Sequence, residues 1–178
     1  ALRGWNMGGT AKDLYNEGIR ASIKGRTTAS DAVINDYIVS TKTPAAPLDK
    51  NGNPDKFNSP PVTDIPVLFD EGGSFERKLE QIITQKWLSL FPMNDVEAWT
   101  ERRRTGYPRG YAIIESINPD VPATSLMRRL QFPPSAYTSN NAATVAAVTA
   151  LGGPDKNETR LWWDAKPLAD YPVPTDPQ

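Results

Sequence analysis

Arginines and aromatic residues alternate within residues 99–111, which read WTERRRTGYPRGY. Guanidinium groups bind phosphates and aromatic rings stack on bases, so this combination suits a groove for single-stranded nucleic acid. The overall charge argues against such a function, because 20 Lys and Arg are balanced by 21 Asp and Glu. A protein dedicated to nucleic acid usually carries a basic excess that neutralises phosphates. We therefore predict no nucleic-acid partner.

The arginine run itself, Arg102 to Arg104, is expected to lie on a helix. Successive helical residues point about 100° apart, so these three side chains cannot form one patch. We expect one or two of them to pair with buried or half-buried carboxylates and the others to be solvated. Glu76 and Glu80 are one helical turn apart, and we assign them to an ordinary solvated helix face.

The composition limits catalytic and metal chemistry. The chain has no histidine and no cysteine. This excludes serine–histidine and cysteine–histidine nucleophiles, disulfides and zinc–thiolate sites. The sequence also contains no glycine-rich loop that could cradle phosphates. We predict no catalytic residue and no cofactor.

Half of a calcium-binding motif occurs at residues 49–55, which read DKNGNPD. Oxygen-bearing side chains alternate there at the spacing with which an EF-hand loop begins. However, Pro54 stands where that loop needs a glycine, and Pro60 stands where it needs the bidentate glutamate. Asn51-Gly52 is itself a strong signal for a hairpin turn. We predict a plain hairpin without metal and keep calcium binding between Asp49 and Asp55 as the alternative.

The elements that must position these residues are mostly helices. Five segments with apolar residues at helical spacing are predicted as α-helices: residues 10–24, 30–40, 74–91, 95–105 and 140–151. Prolines forbid a helix over residues 41–73, which are predicted as a loop excursion with one short hairpin. Short extended pieces are predicted near residues 113–115, 126–130 and 160–164, and residues 165–178 are predicted as a loop tail.

This pattern predicts a mainly α fold of helix pairs in tetratricopeptide-like stacking, with long loops and a few short strands. The 17 prolines and 12 glycines favour the long loops. Leu2-Arg3-Gly4 is typical of the last helical turn before a glycine stop. We therefore expect residues 1–178 to begin inside a truncated helix and to be a piece of a longer protein.

The aromatic side chains allow two interpretations. Trp87 and Trp99 share helix faces with other apolar residues and are expected in the core. Six others are expected in loops or short extended pieces: Trp5, Tyr107, Tyr111, Trp162, Trp163 and Tyr171. They could present flat faces on which sugar rings pack, or they could anchor the long loops onto the helices.

Four segments together resemble one protein family. They are residues 2–20 (LRGWNMGGTAKDLYNEGIR), 78–111, 128–137 (RRLQFPPSAY) and 161–164 (LWWD). The most specific is residues 78–111, with glutamine-lysine-tryptophan, then glutamate-alanine-tryptophan, then arginine-arginine-threonine-glycine. In order and rough spacing these segments are similar to the C-terminal part of SusD/RagB outer-membrane nutrient-binding lipoproteins.

The resemblance implies an α-rich, tetratricopeptide-like fold and a non-catalytic protein that captures glycans at the surface of Gram-negative bacteria. Family members cover a TonB-dependent, SusC-like outer-membrane transporter and pass the ligand into it. They are anchored through a lipidated N-terminal cysteine, which this sequence lacks. The arginine run then belongs to the family framework, so we expect it to tie the helix over residues 95–105 to the loops that follow.

The resemblance transfers the scaffold but not the binding residues. Our candidates for ligand contacts are Tyr107, Arg109 and Tyr111, because they follow a helix end and are expected to be exposed. The predicted function is glycan binding and delivery to the transporter. The alternative is a scaffold that docks on the transporter, with a peptide or other nutrient held elsewhere. A hydrolase, the third possibility, would need two facing carboxylates in a cleft.

Overall fold

Six α-helices and one 3-10 turn form the regular structure of residues 1–48, 58–113, 116–121 and 126–176, which the computed structural model describes. The helices are α1 (Ala11–Arg26), α2 (Asp31–Ile38), α3 (Phe75–Leu90), α4 (Asp95–Thr105), α5 (Pro134–Ser139) and α6 (Asn141–Leu151). The 3-10 turn is Leu168–Asp170. All five predicted helices are present, so the mainly α fold class is confirmed.

Polar side chains start these helices where the sequence provides them. The Thr10 hydroxyl accepts from Asp13 N–H, and Asp13 accepts from Thr10 N–H, which makes a capping box for α1. Four other helices begin with a side chain that accepts a backbone N–H: Ser30, Ser74, Asn94 and Asn140. Gly106 and Gly152 end α4 and α6 in the left-handed conformation.

The helices pack as pairs of sequence neighbours, and α3 joins the pair α1–α2 to α4. Helix α1 packs against both α2 and α3, α4 packs against α3, and α5 packs against α6. The first apolar core lies between α1, α2 and the loop before α3: Tyr15, Ile19, Ile34, Ile38 and Phe69. The second core contains Leu79, Ile83 and Tyr107, with Leu2 packed against it.

A glutamine of α3 fixes the loop that precedes the helix. Gln81 is only 1% exposed. Its amide NH₂ donates to Pro66 O at 3.0 Å and to Leu68 O at 2.8 Å, and its carbonyl accepts from Asp70 N–H at 3.0 Å. The Gln81 side chain therefore satisfies three backbone polar groups of this loop, as the backbone of a neighbouring strand would in a sheet.

Helix α5 was not predicted. It has six residues and no apolar stripe of its own, and it starts at a proline, which is compatible with the first helical turn. Its stability comes from packing on α6 and not from a pattern within the segment.

The predicted short strands are nearly absent from the described residues. The only β-type pairing among the described residues is one isolated parallel bridge, between Tyr111 and Thr175. At residues 126–130 the N–H groups of Arg128 and Arg129 donate instead to Asn157 O. Residues 161–164 form a turn closed by Asp164 N–H and Leu161 O. The hairpin and the half-motif at residues 49–55 lie outside the described residues.

None of the described helices has the length and apolar character that a membrane span requires.

Candidate functional site

Tyr107 lies in the interior and not on the surface. It is 3% exposed and packs against Leu79 and Ile83. Gly106, with φ of 86°, reverses the chain immediately after α4, so the next side chain points back toward α3. The Tyr107 hydroxyl donates to Glu76 Oε2 at 3.1 Å, and burial together with this carboxylate raises the pKa of Tyr107. The expectation that Tyr107 is exposed was wrong.

Arg109 binds a buried carboxylate on α3. Its Nε lies 2.9 Å from Glu80 Oε1, and Thr63 Oγ1 donates to the same oxygen at 2.6 Å. Glu80 is 4% exposed, so its assignment to a solvated face was wrong. The reason is that α3 is covered on more than one side, and polar positions of an amphipathic helix can then be buried as well. About a third of the Arg109 side chain stays accessible.

Tyr111 joins two distant segments. Its hydroxyl donates to Pro60 O at 2.6 Å. Its backbone forms the bridge to Thr175, in which Ala112 N–H donates to Thr175 O at 2.8 Å and Thr175 N–H donates to Gly110 O at 3.0 Å. The ring is half-buried.

Tyr107 and Arg109 contact α3 and Tyr111 contacts the loop before it, so each candidate residue has a partner inside the protein. Tyr107 binds Glu76, Arg109 binds Glu80, and Tyr111 binds the carbonyl of Pro60. Of the three, Arg109 and Tyr111 keep part of their surface available to a ligand. Their role in ligand binding stays a prediction.

Arg103 and Arg104 of the arginine run have different environments, as the helical geometry requires. Arg104 pairs with Glu101, whose side chain is 14% exposed, as expected for one of the three. Arg103 stacks between the rings of Trp99 and Trp163, with its Cζ at 4.3 and 4.9 Å from the ring centroids, and donates to Arg128 O at 2.8 Å. This contact ties α4 to the following loops, as predicted.

Buried ion pairs in the C-terminal half were not predicted. Arg128 and Asp164 are both nearly inaccessible, and their charged atoms are 3.4 Å apart. Tyr171 donates to Asp164 at 2.9 Å, and Arg160 lies 3.1 Å from the same carboxylate. The sequence signal was present in the resemblance, since Arg128 and Asp164 lie in two of its four segments, but a single sequence does not show which charges meet.

Several large aromatic side chains are exposed. Trp162 is 93% exposed and Trp5 is 71% exposed. Trp87, expected in the core, is 39% exposed and lies beside exposed Phe91, with ring centroids 6.4 Å apart. Trp99 is half-buried, and its indole N–H donates to Met127 O. The faces of Trp162 and Trp5 are therefore available for stacking on a flat apolar partner.

Within the described part of the chain, no cluster of three or more carboxylates could hold a metal ion. The carboxylates beside the candidate residues are instead paired with cations or hydroxyls: Glu76 with Lys166 and Tyr107, Glu80 with Arg109 and Thr63. These ion pairs and hydrogen bonds fix the neighbouring loops on α3. They can also position polar groups of a ligand.

A family model described as SusD-like, "Susd and RagB outer membrane lipoprotein", matches residues 1–164. Among solved structures, a chitin-binding SusD homolog from Flavobacterium johnsoniae is 41% identical with a TM-score of 0.83, over 94% of this chain and 34% of that chain. A SusD homolog from Bacteroides ovatus is 39% identical with a TM-score of 0.80, over 93% of this chain and 35% of that chain.

A SusD homolog from Bacteroides thetaiotaomicron is 35% identical with a TM-score of 0.81, again over 93% of this chain and 35% of that chain. The chain thus spans about a third of the length of each of these relatives. No curated protein matches the chain.

Proposed function

Because this chain belongs to the SusD/RagB family of outer membrane lipoproteins, we propose that it is part of a non-catalytic protein that binds glycans at the bacterial surface and delivers them to a TonB-dependent, SusC-like transporter. The observation that carries this proposal is the 41% identity to a chitin-binding SusD homolog over 94% of the chain. The lipid anchor would be attached to a cysteine outside these 178 residues, since they contain none.

The exposed aromatic side chains support glycan binding. The C–H face of a sugar ring packs on an aromatic face, and neighbouring polar groups then fix its orientation. Trp162 presents nearly its whole side chain to solvent. We propose Trp162, Arg109 and Tyr111 as candidate ligand contacts, with Tyr107 positioning the loop that carries the last two.

The first test is a glycan array followed by calorimetric titration with chitin oligosaccharides. We expect the protein to bind, and Trp162→Ala to weaken binding about tenfold, which corresponds to one lost stacking contact of roughly 1–2 kcal/mol. Tyr111→Ala should also weaken binding, and Tyr111→Phe is its matched control, because it keeps the ring and removes only the hydroxyl that binds Pro60. Failure to bind any glycan on the array would contradict the proposal.

A scaffold function is the second candidate, and one observation favours it. Tyr107, Arg109 and Tyr111 all use their polar groups on partners inside the protein. Such a unit would hold the loops rigid for docking on the transporter. In that case the variants Trp162→Ala and Tyr111→Ala would leave glycan affinity unchanged but reduce co-purification of the transporter.

A further inference from the structure

A cavity of about 310 Å³ lies between the end of α4, the loop after it and the chain segment at residues 168–174. Three arginines line it: Arg102, Arg109 and Arg128. The remaining wall is mostly apolar and includes Tyr171, Leu168 and two prolines. This volume is at the lower end of the range for small-ligand sites and is suited to about one sugar ring.

The charges of the three arginines are not equally compensated. Arg109 pairs with Glu80 at 2.9 Å, and Arg128 pairs with Asp164 at 3.4 Å, a carboxylate that Arg160 also shares. Within the described ranges, the Arg102 guanidinium has neither an ion-pair partner nor a hydrogen-bond acceptor, and its Nε is buried from solvent. The cavity wall therefore carries an excess positive charge at Arg102.

The backbone of Gly110 lies close to Arg102. Its guanidinium lies against Gly110, where an added Cβ would be 2.9 Å from Arg102 Cζ and would collide with Nη2. The absence of a side chain at Gly110 therefore leaves room for the guanidinium in its present position. Burial lowers the pKa of Arg102, but an arginine remains charged at neutral pH. A partly desolvated cation without an ion-pair partner is costly, and an anion in the cavity would offset that cost.

The shape of the charged group indicates which anion fits. A guanidinium is a planar fork that matches the two oxygens of a carboxylate, while the apolar wall suits the C–H face of a ring. We propose that this cavity binds the carboxylate of an acidic sugar, so that the protein prefers glycans containing uronic acids over neutral ones. This proposal rests on the proposed glycan-binding function.

The experiment compares two ligands that differ only in the carboxylate: a glucuronic-acid-containing oligosaccharide and its carboxyl-reduced form. Calorimetric titration of the unaltered protein should show about tenfold tighter binding of the acidic form, the usual scale for a hydrogen bond to a charged group. Arg102→Gln should remove this preference. Arg104→Gln, on the same helix but paired with Glu101 and not among the cavity-lining residues, should retain it.

A second measurement separates this proposal from the proposed function. Free D-glucuronate, with D-glucose as control, is titrated while the arginine Nε–H resonances are followed by NMR. A shift of the Arg102 resonance by glucuronate alone supports the anion pocket even if no oligosaccharide binds, an outcome that would contradict only glycan capture. Equal binding of the acidic and reduced oligosaccharides, or no shift with glucuronate, would overturn the proposal that the cavity binds a carboxylate. The glycan array would still test glycan binding separately.

Discussion

Asp155 is a residue at which three parts of the C-terminal half meet. Its carboxylate accepts from Arg129, from Phe132 N–H at 3.2 Å and from the Tyr137 hydroxyl at 2.7 Å. Burial by itself would raise the pKa of Asp155, but the hydrogen bonds from Tyr137, Arg129 and Phe132 outweigh it and lower the pKa below its ordinary value. The charged form therefore stabilises the fold.

We predict that Asp155→Asn lowers the free energy of unfolding at pH 7 by about 2–3 kcal/mol, because hydrogen bonds to a charged acceptor are replaced by weaker ones. A carboxylate with a lowered pKa stabilises the folded state above its unfolded-state pKa, and this contribution is lost as the pH falls through the folded-state value. The difference between the two proteins should thus shrink below about pH 4.

Urea denaturation at pH 7 and pH 3 measures this difference. Asp36→Asn, at an exposed position of α2, is the control and should change stability by less than about 0.5 kcal/mol at either pH. A difference for Asp155→Asn that is independent of pH would show that the carboxylate charge is not what stabilises the meeting point.

Helix ends decide how the elements of this protein are joined, and Gly106 is the clearest case. Its φ is 86°, and an added Cβ would collide with the Pro172 ring and lie 3.0 Å from the ring of Tyr171. Gly152 has a similar φ of 72°, but nothing lies within 4 Å of an added Cβ. The two glycines therefore differ mainly in the close approach of the segment at residues 171–172.

We predict that Gly152→Ala costs about 1 kcal/mol, the backbone penalty for the left-handed conformation, and that Gly106→Ala costs about 2–3 kcal/mol more. Thermal and urea unfolding of the two variants provide the comparison. Equal losses would mean that the tail can move away from Gly106 without cost.

The loop before α3 is held by a side chain of the helix. Replacing Gln81 with Ala leaves the carbonyls of Pro66 and Leu68 and the N–H of Asp70 without their partner. We predict a loss of about 3 kcal/mol in the free energy of unfolding, since each buried group left unsatisfied costs about 1–3 kcal/mol and water can reach part of the loop.

Gln85→Ala, one turn further along the helix, is the matched control. Gln85 accepts one hydrogen bond, from the Tyr37 hydroxyl at 3.0 Å, so its loss should be about 1 kcal/mol. Hydrogen exchange of the Asp70 amide reports on the loop directly. Unchanged protection of this amide in Gln81→Ala would contradict the assigned role.

At this scale the sequence predicted the elements better than it predicted their surroundings. Caps such as Thr10 and Ser74 and stops such as Gly106 are local signals, so the five helices could be recognised. Burial is not local. Glu80 and Gln81 became interior positions because α3 is covered on several sides, whereas Trp87, expected in the core, is 39% exposed.

In the candidate site, too, local features could be predicted from the sequence, whereas contacts between distant residues could not. That Tyr107 follows a helix end was visible from Gly106 and Pro108. That its ring turns inward depends on where α3 lies, and no pattern within residues 99–111 encodes that position. The unmatched charge of Arg102 could be found only after Glu80 and Asp164 had been assigned to other cations.

At the level of the complete fold, the described residues form two apolar cores that share one helix. Ile82 of α3 packs against the first core, while Leu79 and Ile83 belong to the second. A perturbation of either core should therefore reach the other through α3, and the two cores should unfold as one unit.

We predict that Ile34→Ala, at a fully buried position of the first core, costs about 2–4 kcal/mol and lowers the melting temperature of one single transition. Val33→Ala, at an adjacent position that is 59% exposed, should cost less than about 1 kcal/mol. Scanning calorimetry tests both statements. Two separate transitions in Ile34→Ala would show that the cores are independent.

The bridge between Tyr111 and Thr175 also has a consequence for biosynthesis. Thr175 receives a hydrogen bond from Ala112 N–H, and its side chain reaches Val62 O, 113 residues earlier. These contacts cannot form until the ribosome has made residue 175, and closing such long loops is slow. Until then, the surface around Gly106 and Arg102 lacks its cover. A chain that stops short of this residue would stay in an open form that proteases can recognise.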